Sequence, residues 1–139
     1  PSSISYTGNN RTHMIRIPDK GRFELRLMDG SANPYLLQAS VLAAGLDGLN
    51  NKINPGKPLN CNMYEDYEKY PNLPKLPDEL SQSLEKLKNN KDMNDAFGQE
   101  SINSYIKLRN SEINEFKQKE SFDKTKAITR WERDNTLDC

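Results

Sequence analysis

Five charged side chains stand where the surrounding pattern belongs to strands: Arg11, Arg16, Arg22, Glu24 and Arg26, within "RTHMIRIPDKGRFELRL". In "GRFELRL" a period of two places Arg22, Glu24 and Arg26 on one face and Phe23, Leu25 and Leu27 on the other. A solvated edge strand is the plain reading of such a face, and the commoner one. Its neighbours weigh against that here. Arg16 sits between Ile15 and Ile17 of the preceding strand, and Arg11 lies just before it. Arginines gathered on one surface repel unless an anion joins them, and the guanidinium fork is suited to phosphates and carboxylates. Glu24 among them offers the hard oxygen that Mg²⁺ takes alongside phosphate. With no glycine-rich phosphate loop in view, the set points to a phosphoryl-transfer site built on a sheet.

The elements that must hold these residues are legible on either side. "HMIRI" and "GRFELRL" read as two strands joined through Asp19–Gly21, with Pro18 ending the first. Asn33 is a suitable N-cap and Pro34 a suitable first residue for a helix running to about Ile53. That helix is apolar on nearly every face, which predicts a buried one. Residues 59–77 carry "NMYEDYEKY" and then Pro71, Pro74 and Pro77, and read as a long loop.

Three amphipathic helices should follow. The first starts near Asp78 with Leu80, Leu84 and Leu87 inward, and a short turn at Met93–Phe97 is stopped by Gly98. The longest covers about Gln99 to Glu120 on Ile102, Tyr105, Ile106, Ile113 and Phe116. The last covers about Phe122 to Arg133, with Ala127, Ile128 and Trp131 inward. The fold class is therefore α+β: a short antiparallel pair, a buried helix and several peripheral helices.

The chain of 139 residues fits one domain or part of a larger one. Its 20 basic and 20 acidic side chains cancel, so no overall field recruits nucleic acid or an anionic membrane. The charge is uneven all the same. Residues 1–58 hold seven Lys/Arg against four Asp/Glu, which makes the first half the place to look for an anionic ligand. Only 34% of residues are hydrophobic, a low share for a self-sufficient core, which suggests missing partners. No signal peptide or membrane span is visible, and Cys61 with Cys139 makes no disulfide framework, as expected of a reducing cytoplasm. The start at Pro1 rather than Met fits a piece of something longer. The lone His13 reads as a packed, hydrogen-bonded residue, and Cys139 as an exposed thiol without a base partner.

From Asn10 to Gly56 the run "NRTHMIRIP…GRFELRLMDGSANPYLLQASVLAAGLDGLNNKINPG" resembles the C-terminal part of the glutamine synthetase catalytic domain. The family pattern is an "NRS" motif, "IRIP", R-x-E-x-R, and a helix opening with "ANPYL" and closing in "AGLDGI-x-NK". The ending "TRWERDNTLDC" is similar to the type III branch, which includes enzymes joining methylamine rather than ammonia to glutamate (γ-glutamylmethylamide synthetases). The resemblance covers nearly the whole chain but only the closing part of such an enzyme.

What the resemblance implies is specific. Arg11 and Arg22 would meet the ATP phosphates and act on the transferred phosphoryl group, with Arg16 and Lys20 also at the nucleotide. Glu24 would ligate Mg²⁺ or Mn²⁺, and Arg26 would hold the carboxylate of substrate glutamate. Residues 1–58 would supply active-site strands and the buried helix, 59–77 a loop, and 78–139 a helical end. Glutamate and ammonia or methylamine are the implied substrates. The rest of the same domain and further copies of the chain are the implied partners, and these residues alone should be inactive. Tyr64 in "NMYEDY" falls where some members are adenylylated, but its neighbours differ and plain loop structure is preferred. The competing reading is a non-catalytic helical interaction or oligomerisation module whose arginines pair with acids elsewhere. A nucleic-acid module is a poor third at zero net charge.

Overall fold

A computed structural model describes residues 1–119 and 128–136. The chain separates into two compact units, one of Pro1–Asp29 with Asn54–Asp78 and one of Gly30–Ile53 with Glu79–Cys139.

The first unit is built on a three-stranded sheet in the order β1-β2-β3, with β1 Tyr6–Thr7, β2 Ile15–Asp19 and β3 Arg22–Leu25. β2 and β3 form the expected antiparallel hairpin, in register at Ile15 with Leu25 and Arg16 with Glu24. Its turn uses Gly21 at φ +77°, a backbone conformation that favours glycine. Pro18 does not end the strand. β2 runs on to Asp19, opposite Arg22, with an irregularity between Arg16 and Asp19 that accommodates the missing N–H.

β1 pairs in parallel with β2 and is not expected, because residues 1–10 are mostly polar and "TGNN" reads as a turn. Hydroxyls alternate instead. Ser3, Ser5 and Thr7 are all buried. The segment after residue 54 closes over this strand rather than hanging free. Leu59 N–H donates to Tyr6 O at 3.0 Å, Ile4 N–H to Pro74 O at 2.8 Å, and Leu76 N–H to Ser2 O at 2.9 Å. The 59–77 segment, expected as a long loop, is partly helical. It carries helix α2, Met63–Asp66, capped by the Asn62 side chain, and a 3₁₀ turn at Tyr67–Lys69. Met63 is buried, whereas Tyr64 is exposed.

The second unit holds α1 Pro34–Asn50, α3 Leu80–Asn89, α4 Lys91–Phe97, α5 Gln99–Lys119 and α6 Arg130–Thr136. The start of α1 is as expected, with Asn33 Oδ1 accepting from Tyr35 and Leu36 N–H at 3.0 and 3.1 Å. Its burial is not. None of its residues is buried, and Leu49 remains 77% exposed. Among the described residues of this unit α4 is the helix that packs on it, and one neighbour cannot cover a helix that is apolar all round.

α3 packs on α5, and Leu84 of α3 and Ile102 of α5 are buried, while Leu80 stays exposed. The turn expected at Met93–Phe97 is the helix α4, ended by Gly98 at φ +80°. In the last helix the expected stretch before residue 128 lies outside the described residues. Ile128 is 58% exposed rather than inward, because it precedes the helix. Trp131 does turn inward and meets Phe116 edge to face at 5.6 Å.

α6 opens with a reciprocal cap. Glu132 N–H donates to Thr129 Oγ1 at 3.2 Å, and Glu132 Oε2 accepts from Thr129 N–H at 2.7 Å and Oγ1 at 2.8 Å. These bonds hold the Glu132 carboxyl below its ordinary pKa. Its folded value lies under the unfolded one, so the stabilisation is present above the unfolded value and lost as pH falls through the folded one. Thr129→Ala should cost about 1 kcal/mol of local helix stability. Amide hydrogen exchange across α6 would read this as faster exchange at neutral pH, with wild type converging on the variant in acid.

Candidate functional site

The hairpin brings the sequence-selected charges onto one part of the first unit. Arg16 and Glu24 are direct cross-strand partners, and Arg16 Nη1 donates to Glu24 Oε1 at 2.6 Å. The guanidinium is the buried member, only 8% of the residue being exposed, while Glu24 keeps more contact with solvent. The hydrogen bond from Arg16 holds the Glu24 carboxyl below its ordinary pKa. Burial opposes that shift, and the charges of Arg16, Arg22 and Arg11 reinforce it. Four of the selected residues are thus electrically one group: an ionised carboxylate among three guanidinium ions.

Arg26 and Lys20 stand apart from that group. Arg26 follows the end of β3, and its backbone N–H donates to Met14 O at 2.9 Å. Its Nη1 is buried without a hydrogen-bond partner among the described residues. A buried guanidinium N–H is a strong donor that favours an oxygen acceptor beside it. Lys20 lies in the exposed hairpin turn, where its backbone N–H donates to Asp19 Oδ1 at 2.7 Å.

Arg11 is exposed at the rim of a depression of about 420 Å³ lined also by Thr7, Gly8, Asn9, Asn10 and Asn60. Asn10 fixes this rim. Its Nδ2 donates to Cys61 O at 2.9 Å, and its Oδ1 accepts from Thr12 N–H and Oγ1, each at 2.9 Å. Thr12 Oγ1 in turn accepts from Met63 N–H at 3.0 Å.

His13 braces the same place from beneath. It is fully buried, with Nδ1 at 3.0 Å from Ser5 Oγ and Nε2 at 3.0 Å from Cys61 O. A carbonyl only accepts, so a neutral ring carries its hydrogen on Nε2 and takes the Ser5 hydroxyl hydrogen at Nδ1. The imidazole is consumed in structure, as expected of a lone histidine. Asn9 is the site residue that sequence reasoning missed. Its Oδ1 accepts from Arg16 Nε at 2.9 Å and also from Nη2. "GNN" reads as a turn, and nothing in the pattern says that one of its amides faces a buried arginine.

The chain offers little on its own to a metal ion. Glu24 is ionised and bonded to Arg16 through Oε1, so it fits as one oxygen ligand. No group of three His, Cys, Asp or Glu side chains is placed to hold a metal ion among the described residues. Nor is any described helix long and apolar enough to cross a membrane.

Comparison with known proteins agrees with the motif pattern. The family model described as glutamine synthetase, catalytic domain, matches residues 1–135. A glutamine synthetase of Rhizobium meliloti (strain 1021) is 44% identical over 138 residues, 99% of this chain and 30% of the relative. A glutamate–methylamine ligase of Methyloversatilis universalis is 57% identical over 65 residues, 47% of this chain and 14% of the relative.

Among solved structures, ligand-free GmaS has a TM-score of 0.81 and 40% identity over the whole chain. A complex of GmaS with ADP gives the same two values. The chain spans about 30% of the length of the glutamine synthetase and of the GmaS chain in its ADP complex. A family match over nearly every residue, with the arginine–glutamate hairpin inside it, means that this chain belongs to the glutamine synthetase catalytic-domain family.

Proposed function

We propose that these residues form the C-terminal part of an ATP-dependent glutamate–amine ligase. Residues 1–58 supply the active-site strands, and 78–139 the helical end. The observation that carries the reading is the Glu24 carboxylate set among Arg16, Arg22 and Arg11 on a hairpin within the family match. The reaction joins glutamate to ammonia or methylamine. The γ-carboxylate oxygen attacks the terminal phosphorus of ATP, ADP leaves, and the amine nitrogen then attacks the acyl phosphate carbon. Inorganic phosphate leaves with the C–O bond electrons, and the amine gives up a proton.

In this scheme Arg11 and Arg22 stabilise negative charge on the phosphoryl oxygens as it passes, which is where preorganised donors have most effect. Arg16 and Lys20 lie at the nucleotide. Glu24 supplies one oxygen to a divalent cation, which when bound neutralises phosphate charge. Arg26 takes the substrate's carboxylate, and its buried, unpartnered Nη1 supports that role. Further ligands, the amine pocket and the contacts between copies come from the rest of a longer cytoplasmic protein.

Arg26→Ala in that full-length protein separates this reading from a structural one. A substrate contact predicts kcat/KM for glutamate down by about 10²–10³, a charge-assisted bond's worth and more, with thermal unfolding unmoved. Lower thermal stability with turnover kept would show instead that Arg26 pairs with an acid elsewhere and that the helical-module reading is right.

A further inference from the structure

Arg11 is exposed, but the residues on either side of it are half-buried and tied down. Thr12 N–H donates to Asn10 Oδ1 at 2.9 Å, a bond that spans Arg11 and closes an Asx turn around it. The Thr12 hydroxyl donates to the same oxygen, also at 2.9 Å. The other end of the amide leaves the turn altogether, since Asn10 Nδ2 donates to Cys61 O at 2.9 Å. Met63 N–H donates back to Thr12 Oγ1 at 3.0 Å. Both neighbours of Arg11 are thus fastened to a segment 51 residues further along the chain. We propose that Asn10 is a positioning residue for Arg11, its amide closing the turn that carries the guanidinium and fastening that turn to the 61–63 segment. The inference rests on the proposed role of Arg11 at the ATP phosphates.

An amide meets both demands of this place with one side chain. Its oxygen serves the two donors of Thr12, and its nitrogen supplies a hydrogen to a carbonyl that can only accept. The anchor is itself held, because Cys61 O also accepts from Nε2 of the fully buried His13 at 3.0 Å. An exposed arginine keeps much of its rotamer freedom, so what the fold can fix is the backbone from which it swings. Without the amide, Thr12 N–H and Cys61 O each lose a partner and the turn is released at its Asn10 end. A displacement of about 1 Å at a reacting group can cost about a hundredfold in rate.

The test is a double-mutant cycle in the full-length protein, read as kcat/KM for ATP across wild type, Asn10→Ala, Arg11→Ala and the double variant. Arg11→Ala should lower that value by about 10²–10³, and Asn10→Ala by about 10- to 100-fold. The double variant should lie within about twofold of Arg11→Ala, because an amide that acts through the guanidinium has nothing left to position. KM for glutamate in Asn10→Ala should stay within about twofold of wild type, whereas general loosening of the site would raise it as well.

Losses that multiply in the double variant overturn the proposal, as does a folded Asn10→Ala with wild-type kcat/KM. An active wild type in which Arg11→Ala changes nothing overturns it too. Should the alanine variant not fold, Asn10→Ser takes its place. The serine hydroxyl can still accept from Thr12 N–H but its shorter arm does not reach Cys61 O, and the same results overturn the proposal there. A wild type that binds ATP yet forms no γ-glutamyl product sinks the ligase reading by itself. The cycle is then read on ATP affinity, where a shared loss upholds the positioning role and multiplied losses overturn it. A wild type that binds no ATP removes both.

Discussion

Glu24→Ala in the full-length protein is expected to lower turnover with glutamate, ATP and amine by at least about a thousandfold, the range lost when a charge-stabilising group leaves an active site. Two separate harms are combined in that substitution. One is the loss of the oxygen ligand proposed for the cation. The other is a buried Arg16 Nη1 left without its acceptor, which costs stability whatever the chemistry.

Glu24→Gln divides them. The amide oxygen still accepts from Arg16, so the hairpin should unfold within a few degrees of wild type, but the negative charge is gone. A glutamine variant that is stable and inactive assigns the loss to the metal and phosphate chemistry. A stable variant with turnover within tenfold of wild type would remove Glu24 from the ligand set. Acid should act in the same direction as the amide. The folded pKa of Glu24 is depressed, so its contribution is present above the unfolded value and disappears only as pH falls through the lower, folded one.

The residues that were legible share one property: their position follows from the spacing of their own neighbours. Alternation alone puts Arg22 and Glu24 on one face, and a cross-strand register then delivers Arg16 to Glu24. Asn33 and Pro34 start α1 where a capping side chain and a fixed φ make a helix begin. What escaped depends on distant segments. β1 is a strand because it pairs with β2 and its lead-in is held from afar, Ser3 bridging to Lys75 and Ser5 bonding to His13, and no apolar count registers hydroxyls. The apolar face of the hairpin is another case, since Phe23 is 58% and Ile17 40% exposed while Arg16 beneath is buried. Hydrophobicity says which faces want cover; it does not say whether the cover lies within these 139 residues. Asn9 was invisible for a related reason. An amide in a turn becomes a clamp only when folding sets a buried guanidinium against it.

The 139 residues taken alone are expected to form no γ-glutamyl product with glutamate, ATP and either amine. In-line phosphoryl transfer needs cations positioned about the moving phosphoryl group, and Mg²⁺ holds its waters unless several oxygens take their place. The described residues provide Glu24 and no cluster of three metal-binding side chains. They do provide Arg11, Arg16 and Arg22 around that carboxylate, so ATP or inorganic phosphate should bind weakly to the basic face. That binding should fade as salt rises toward a Debye length of about 8 Å at 0.15 M and below. Attraction to a substrate phosphate is felt before the transition state as much as in it, and uniform binding of that kind gives affinity without rate. Isothermal titration with ATP at low and high salt, beside a γ-glutamyl product assay on protein freed of host synthetase, measures both halves. Product from the isolated chain would mean that the metal and amine sites are built from residues already present in it, and the division of labour with a longer protein would have to be abandoned.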